Sequence, residues 1–131
     1  MEFSTLLGKT FIKVENFGNE GLLFTTNDGE FYGLYHGQNC CESVTIEDIC
    51  GDLVDLEGSP ILLASEECSE IRPEGVVEEL HEDSAVLWTF YKLSTLKGSV
   101  TIRWYGTSNG YYSVSVDFEQ FTSSDKFKKM F

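Results

Sequence analysis

His36, Cys40, Cys41 and Glu42 place an imidazole, two thiols and a carboxylate within seven residues, in the run Tyr35-His36-Gly37-Gln38-Asn39-Cys40-Cys41-Glu42. These are donor types that zinc favours, and His36, one of the adjacent cysteines, Cys50 and Cys68 would make up the usual four ligands. The spacings are wider than a zinc knuckle's, and neighbouring residues of a strand point to opposite faces, so Cys40 and Cys41 do not readily ligate together. The same residues also read as a thiol nucleophile with His36 as base and Glu42 orienting it, although no flanking signature of a cysteine hydrolase accompanies them. A third reading is structural, and the residue types favour it. Cysteine behaves as a small, buried hydrophobe, and His36 with Gln38 would tie down the backbone of a loop. No cofactor is expected, zinc being the one metal that the donors would suit. A small-ligand pocket around His36, Cys40, Cys41, Glu42 and Cys50 stays open as the alternative.

Other motifs are weaker. Asp48, Asp52 and Asp55 invite comparison with a calcium loop, but the glycine between ligands and the closing glutamate at the right offset are missing. No phosphate-cradling glycine loop, nucleophile elbow or His-Glu-x-x-His helix occurs. Arg103, within Ile102-Arg103-Trp104-Tyr105, is expected to pair across strands with Asp117.

The chain has 131 residues with 9 basic and 22 acidic side chains, a formal charge of −13. Residues 42–83 hold fourteen of the acids and one base, Arg72, so this segment carries the whole net charge and the remainder, with eight of each sign, is neutral. The acids are Glu42, Glu47, Asp48, Asp52, Asp55, Glu57, Glu66, Glu67, Glu70, Glu74, Glu78, Glu79, Glu82 and Asp83. Such a surface repels phosphate, which disfavours direct binding to nucleic acid or an anionic membrane. Acidic runs are usually solvated faces that keep a protein soluble. The sharper expectation is an interaction surface for a basic partner, built from Glu47, Asp48, Asp52, Asp55, Glu57, Glu66, Glu67, Glu70, Glu78, Glu79, Glu82 and Asp83.

The elements that must position these groups are mostly strands. The length suits a single domain over residues 1–131, with the acidic segment at 42–83, a β-meander at 84–121 and a short basic tail at 122–131. Residues 1–9 suit a short helix or turn capped by Ser4 or Thr5, and Phe11 to Glu15 alternates as a strand. Leu22 to Thr26 and Glu30 to Tyr35 form a hairpin. A three-residue loop, Asn27-Asp28-Gly29, sets Phe24 opposite Tyr32 and Leu22 opposite Leu34, where a two-residue loop would waste Phe24 on Gly33. Ser43 to Ile49 reads as a strand, Asp52 to Leu56 as one helical turn and Pro60 to Ala64 as a strand opened by proline. Gly75 to Asp83 lacks firm periodicity. Ala85 to Leu93, Ser99 to Tyr105 and Tyr111 to Phe121 are β-branched and aromatic runs. The loop Ser108-Asn109-Gly110 would pair Trp104 with Val114, Ile102 with Val116 and Val100 with Phe118. The fold class expected is mainly β (β-rich α+β): a single-domain antiparallel sandwich or partly open barrel of about seven strands with one or two short helices.

The run Tyr35-His36-Gly37-Gln38-Asn39-Cys40-Cys41-Glu42-Ser43-Val44, continuing through Ile46-Glu47-Asp48 and Gly51-Asp52-Leu53, resembles a small uncharacterised domain family common in phages and bacterial genomes. Trp88-Thr89-Phe90-Tyr91, Ile102-Arg103-Trp104-Tyr105-Gly106 and Ser108-Asn109-Gly110-Tyr111-Tyr112-Ser113 are similar to it too, so the likeness spans roughly residues 22–120. The resemblance implies a phage or prophage setting and no particular activity.

No apolar run of about 18 residues is present, and Met1-Glu2-Phe3-Ser4 lacks the basic start of a signal peptide. A cytoplasmic protein is expected, in the host cytoplasm if phage-encoded, with free thiols rather than a disulfide framework. The functional expectation is a non-enzymatic accessory protein whose acidic surface meets a basic one, for instance on a host defence or nucleic-acid-binding protein. A cysteine-dependent enzyme is the remote alternative.

Overall fold

The computed structural model describes residues 1–37, 41–69, 85–108 and 113–131. Among these residues, eight strands make two four-stranded antiparallel sheets that face each other as a sandwich. They are β1 (Phe11–Asn16), β2 (Gly21–Thr26), β3 (Phe31–Tyr35), β4 (Ser43–Cys50), β5 (Leu63–Ser69), β6 (Ala85–Thr95), β7 (Gly98–Ser108) and β8 (Asp117–Phe121). Sheet A runs β1-β2-β3-β8 and sheet B runs β4-β7-β6-β5. The alternation of apolar residues sends Leu22, Phe24, Tyr32 and Leu34 inward from sheet A, and Ile46, Tyr91, Ile102 and Trp104 inward from sheet B, all nearly or fully buried. Two 3-10 turns, Phe3–Leu6 and Leu53–Leu56, insert the fully buried Leu6 and Leu56 into the same core.

The first hairpin has the expected register, with Phe24 opposite Tyr32 and Leu22 opposite Leu34. Its turn closes through the Gly29 N–H to the Thr26 carbonyl (3.1 Å) and the Thr26 N–H to the Glu30 carbonyl (2.9 Å), with Gly29 at φ 81°. Only glycine takes that left-handed conformation without strain.

The second expected hairpin does not form. β7 already has a neighbour on each side, β4 and β6, so no edge remains for the returning chain. Trp104 pairs with Ile46 and Thr89, and Phe118 pairs with Leu34 in the other sheet. Residues 113–116 lie outside any strand, and β8 begins only at Asp117. Val114 instead lies over the face of β7 at Gly106, where a Cβ would collide with the Val114 carbonyl. The turn residues Asn109 and Gly110 fall outside the described residues, as does Gly75 to Asp83.

Two β-bulges alter the alternation. Between Phe11 and Lys13 one leaves Ile12 exposed while Phe11 is buried and Val14 packs on the core. Another, between Ile46 and Asp48, turns both Glu47 and Asp48 outward and returns Ile49 to the core. Pro60 makes only an isolated bridge to Thr10, so the strand expected at Pro60 begins at Leu63 and extends through Ser69. The first turn is preceded by Glu2 and has no side-chain cap, in place of the expected Ser4 or Thr5.

The C-terminal tail is more than a basic extension. Ser123 caps a short helix, α1 (Ser124–Lys128), that lays the fully buried Phe127 on the outer face of sheet A. The ring sits above Gly33 and Gly21, where any Cβ would strike Phe127 or Phe131. Phe17, Tyr35, Phe121 and Phe131 surround it at centroid distances of 5.5, 6.2, 5.2 and 5.0 Å.

Candidate functional site

His36 follows β3 and Glu42 precedes β4, so the two stand at either end of the crossing from sheet A to sheet B. His36 Nε2 lies 3.1 Å from the Glu42 carboxylate, and the two side chains are 4% and 0% exposed. Its Nδ1 lies 2.7 Å from the Ser115 carbonyl, on the segment that crosses back before β8. A carbonyl oxygen only accepts, so Nδ1 carries a hydrogen and donates it. Nε2 faces the Glu42 carboxylate on the other side of the ring. The imidazole therefore clasps both sheet-crossing connections with both ring nitrogens engaged.

Cys41 is in a disulfide, while Cys50 and Cys68 are free and exposed. The expectation of free thiols fails at Cys41, whose sulfur in this state is no thiolate nucleophile. Cys40 lies outside the described residues. Cys50 ends the eight-residue β4 that Glu42 precedes, about 26 Å away at 3.3 Å per residue. Cys68 lies on β5, at the opposite edge of sheet B from β4. The structure thus brings His36 and Glu42 together and leaves Cys50 and Cys68 apart from them. Among the described residues no group of three His, Cys, Asp or Glu side chains is placed to hold a metal ion.

A cleft of about 360 Å³ opens beside the clasp, lined by Glu20, His36, Glu42, Ser43, Thr45, Met130 and Phe131 among others. Glu20 and the tail residues were not expected there. Phe127 and Phe131, four apart among lysines, are the sequence signal of a tail that folds back. Tyr35, just before His36, is held protonated far up the pH scale: burial first, then Glu119, raise its hydroxyl to about 12.

The described acids divide into two groups. On β4, Glu47 and Asp48 both bind Arg103, the latter at 3.6 Å, and the guanidinium lies 5.7 Å from the Trp88 ring. The bulge makes this possible, and it replaces the expected pair of Arg103 with Asp117, whose carboxylate instead accepts from the Gly37 N–H at 3.1 Å. Asp52 caps the turn Leu53–Leu56 by accepting from the Val54 N–H at 3.1 Å. Asp55 lies in that turn, its carbonyl accepting from the Thr95 hydroxyl. Glu57 accepts from the Val14 N–H at 2.8 Å, closing a donor on the edge strand β1. On the opposite edge, Glu66 and Glu67 of β5 are exposed, and Glu67 has Lys92 at 3.4 Å with both side chains solvated. Glu70, Glu78, Glu79, Glu82 and Asp83 lie outside the described residues.

The model of a domain-of-unknown-function family, DUF7448, matches residues 4–118. The chain belongs to the DUF7448 family. That match takes in both sheets, the His36–Glu42 clasp and the acidic segment, and it stops short of α1, so the Phe127 latch lies beyond the part shared with the DUF7448 model. No curated protein and no solved structure matches the chain. No helix among the described residues is long and apolar enough to cross a membrane.

Proposed function

We propose that this DUF7448 domain is a non-catalytic, phage-type accessory protein. Its acidic β5 edge and the following insert, residues 66–83, engage a basic surface of a partner in the cytoplasm. A host nucleic-acid-binding or defence protein fits that description, because an acidic patch competes for the positive groove that DNA or RNA uses. The phage setting rests on the motif resemblance alone. The observation that carries the reading is the division of the acids. Glu47 and Asp48 on β4 are committed to Arg103, and Asp52 and Glu57 to backbone N–H groups. Residues 66–83, by contrast, hold eight acids against Arg72 and begin on an exposed edge strand.

The test is capture of partners by tagged wild-type chain and by a Glu66→Lys/Glu67→Lys/Glu70→Lys variant. Wild-type complexes are expected to elute with duplex DNA and to dissociate between about 50 and about 300 mM salt. The variant is expected to capture none of the same partners. Identical capture by the variant, or indifference to salt, overturns the proposal.

The cleft beside His36 and Glu42 favours a second reading, a small-ligand site. Ligand-dependent thermal shifts that His36→Ala abolishes would support it, and their absence across a metabolite and metal panel would remove it.

A further inference from the structure

The far end of the β5 inner face stays open to solvent. Ala64, Glu66 and Cys68 alternate onto this face, where Glu66 stands opposite Tyr91 and Cys68 opposite Thr89. A pocket of about 410 Å³ lies between them and the first turn, with Glu2, Ser4, Ser65, Glu66 and Cys68 contributing polar groups. The Cys68 thiol is 3.8 Å from the Thr89 hydroxyl and 3.9 Å from the Glu66 carboxylate. Behind this lining, Tyr91 is fully buried with its ring 4.7 Å from that of Phe3. Its hydroxyl makes no hydrogen bond of ordinary geometry, and Glu66 is the acceptor standing closest to providing one, with Cys68 also nearby. A buried hydroxyl left unpaired is a cost that a bound polar group removes.

We propose that this pocket receives an arginine side chain, held by the carboxylates of Glu2 and Glu66 and reaching the buried Tyr91 hydroxyl. The identity of the occupant follows from the chemistry of the walls. The carboxylates of Glu2 and Glu66, the Ser4 hydroxyl and, behind the lining, the Tyr91 oxygen can all accept, and a guanidinium brings five N–H donors where an ammonium brings three. Glu66 belongs both to the pocket wall and to the acidic segment of the sequence, so a basic surface drawn to Glu66 brings its side chains to this mouth. This inference rests on the proposed function for the source of the arginine, and it tests separately.

The probe is acetyl-Gly-Arg-Gly-amide, and the readout is alkylation of Cys68 in the folded, non-reduced protein. Cys50, free and exposed on the other edge strand, is the internal control. At about 10 mM peptide and a dissociation constant near 1 mM, Cys68 is expected to react about tenfold more slowly, with Cys50 unchanged. The lysine and citrulline analogues are expected to protect at least threefold less. Glu66→Gln and Tyr91→Phe, each checked by circular dichroism, are expected to remove most of the protection; Tyr91→Phe keeps the ring and loses only the hydroxyl. Equal protection by the lysine or citrulline peptide, no protection by the arginine peptide, or full protection in either variant overturns the proposal. Failure here with salt-sensitive partner capture intact refutes the pocket and leaves the acidic-surface reading standing. Success here without such capture refutes that reading instead.

Discussion

Glu42→Ala and Glu42→Gln should differ sharply, because Gln keeps a polar partner for Nε2 of His36 and Ala does not. The wild-type pair is almost wholly withdrawn from water, at 4% and 0% side-chain exposure and 3.1 Å separation. Breaking such a pair by deleting one partner costs about 3–5 kcal/mol, since the other is left buried and uncompensated. Glu42→Ala leaves Nε2 of His36 without its partner while Nδ1 stays committed to Ser115. Glu42→Gln is gentler: its amide N–H donates to the Nε2 of a neutral imidazole whose Nδ1–H still donates to Ser115, and the cost falls to about 1 kcal/mol. Urea unfolding reads the difference. With a slope of about 1.5 kcal/mol/M, Glu42→Ala lowers the midpoint by about 2 M or more, and Glu42→Gln by under about 1 M. His36→Ala combined with Glu42→Ala should cost at least about 2 kcal/mol less than the sum of the singles. Equal losses for Ala and Gln, or additive single mutants, would refute the clasp.

Phe127→Ala should destabilise by about 3 kcal/mol, because the ring is fully buried over Gly21 and Gly33; Gly33→Ala should act in the same direction by pushing α1 off the sheet, seen as faster hydrogen exchange in residues 124–128. Alkaline pH should also destabilise the fold. Burial raises the hydroxyls of Tyr35, to about 12, and of Tyr91 further still, so the folded state retains protons that the unfolded chain releases near pH 10. Their contribution is complete below about pH 10 and falls as pH rises toward 12, and Tyr35→Phe should flatten that part of the stability curve. Without reductant, mass spectrometry after native alkylation should find Cys50 and Cys68 modified and Cys41 unmodified until a reductant is added.

What could be read from the sequence follows the range of each interaction. The first hairpin was legible because Leu22, Phe24, Tyr32 and Leu34 lie close in sequence and only one loop length sets apolar against apolar. Val114, Val116 and Phe118 alternate just as well, but alternation reports which face is buried and not which strand is the neighbour. With both edges of β7 occupied, the chain had to cross to sheet A, a constraint that exists only once all eight strands are placed. The bulges at Ile12 and Glu47 had no signal in residue type. His36 and Glu42 are close in sequence and do meet, yet the third member of the clasp, Ser115, is 79 residues from His36 and enters through its backbone, which no side-chain pattern encodes.

The acids of β5 admit a bland explanation that the structure makes specific. Edge strands need charge to deter pairing with other chains, and both outer strands of sheet B carry exposed carboxylates. Deterrence and recognition nevertheless ask different things of the charge. Deterrence needs charge of either sign, and lysine serves it best, whereas recognition of a basic surface needs the negative sign. On β4 the charge is tied into a network in which one guanidinium, that of Arg103, binds both Glu47 and Asp48. On β5 the nearby cation at Lys92 is solvated and answers Glu67 alone, and the chain then adds six more acids against one arginine before β6 begins. An edge guarded only against aggregation gains nothing from that surplus, because self-repulsion grows with net charge and destabilises the compact state. The lysine variant of β5 separates the two roles: it keeps the edge charged, so any loss of partner capture follows from the sign of the charge rather than from an unguarded edge.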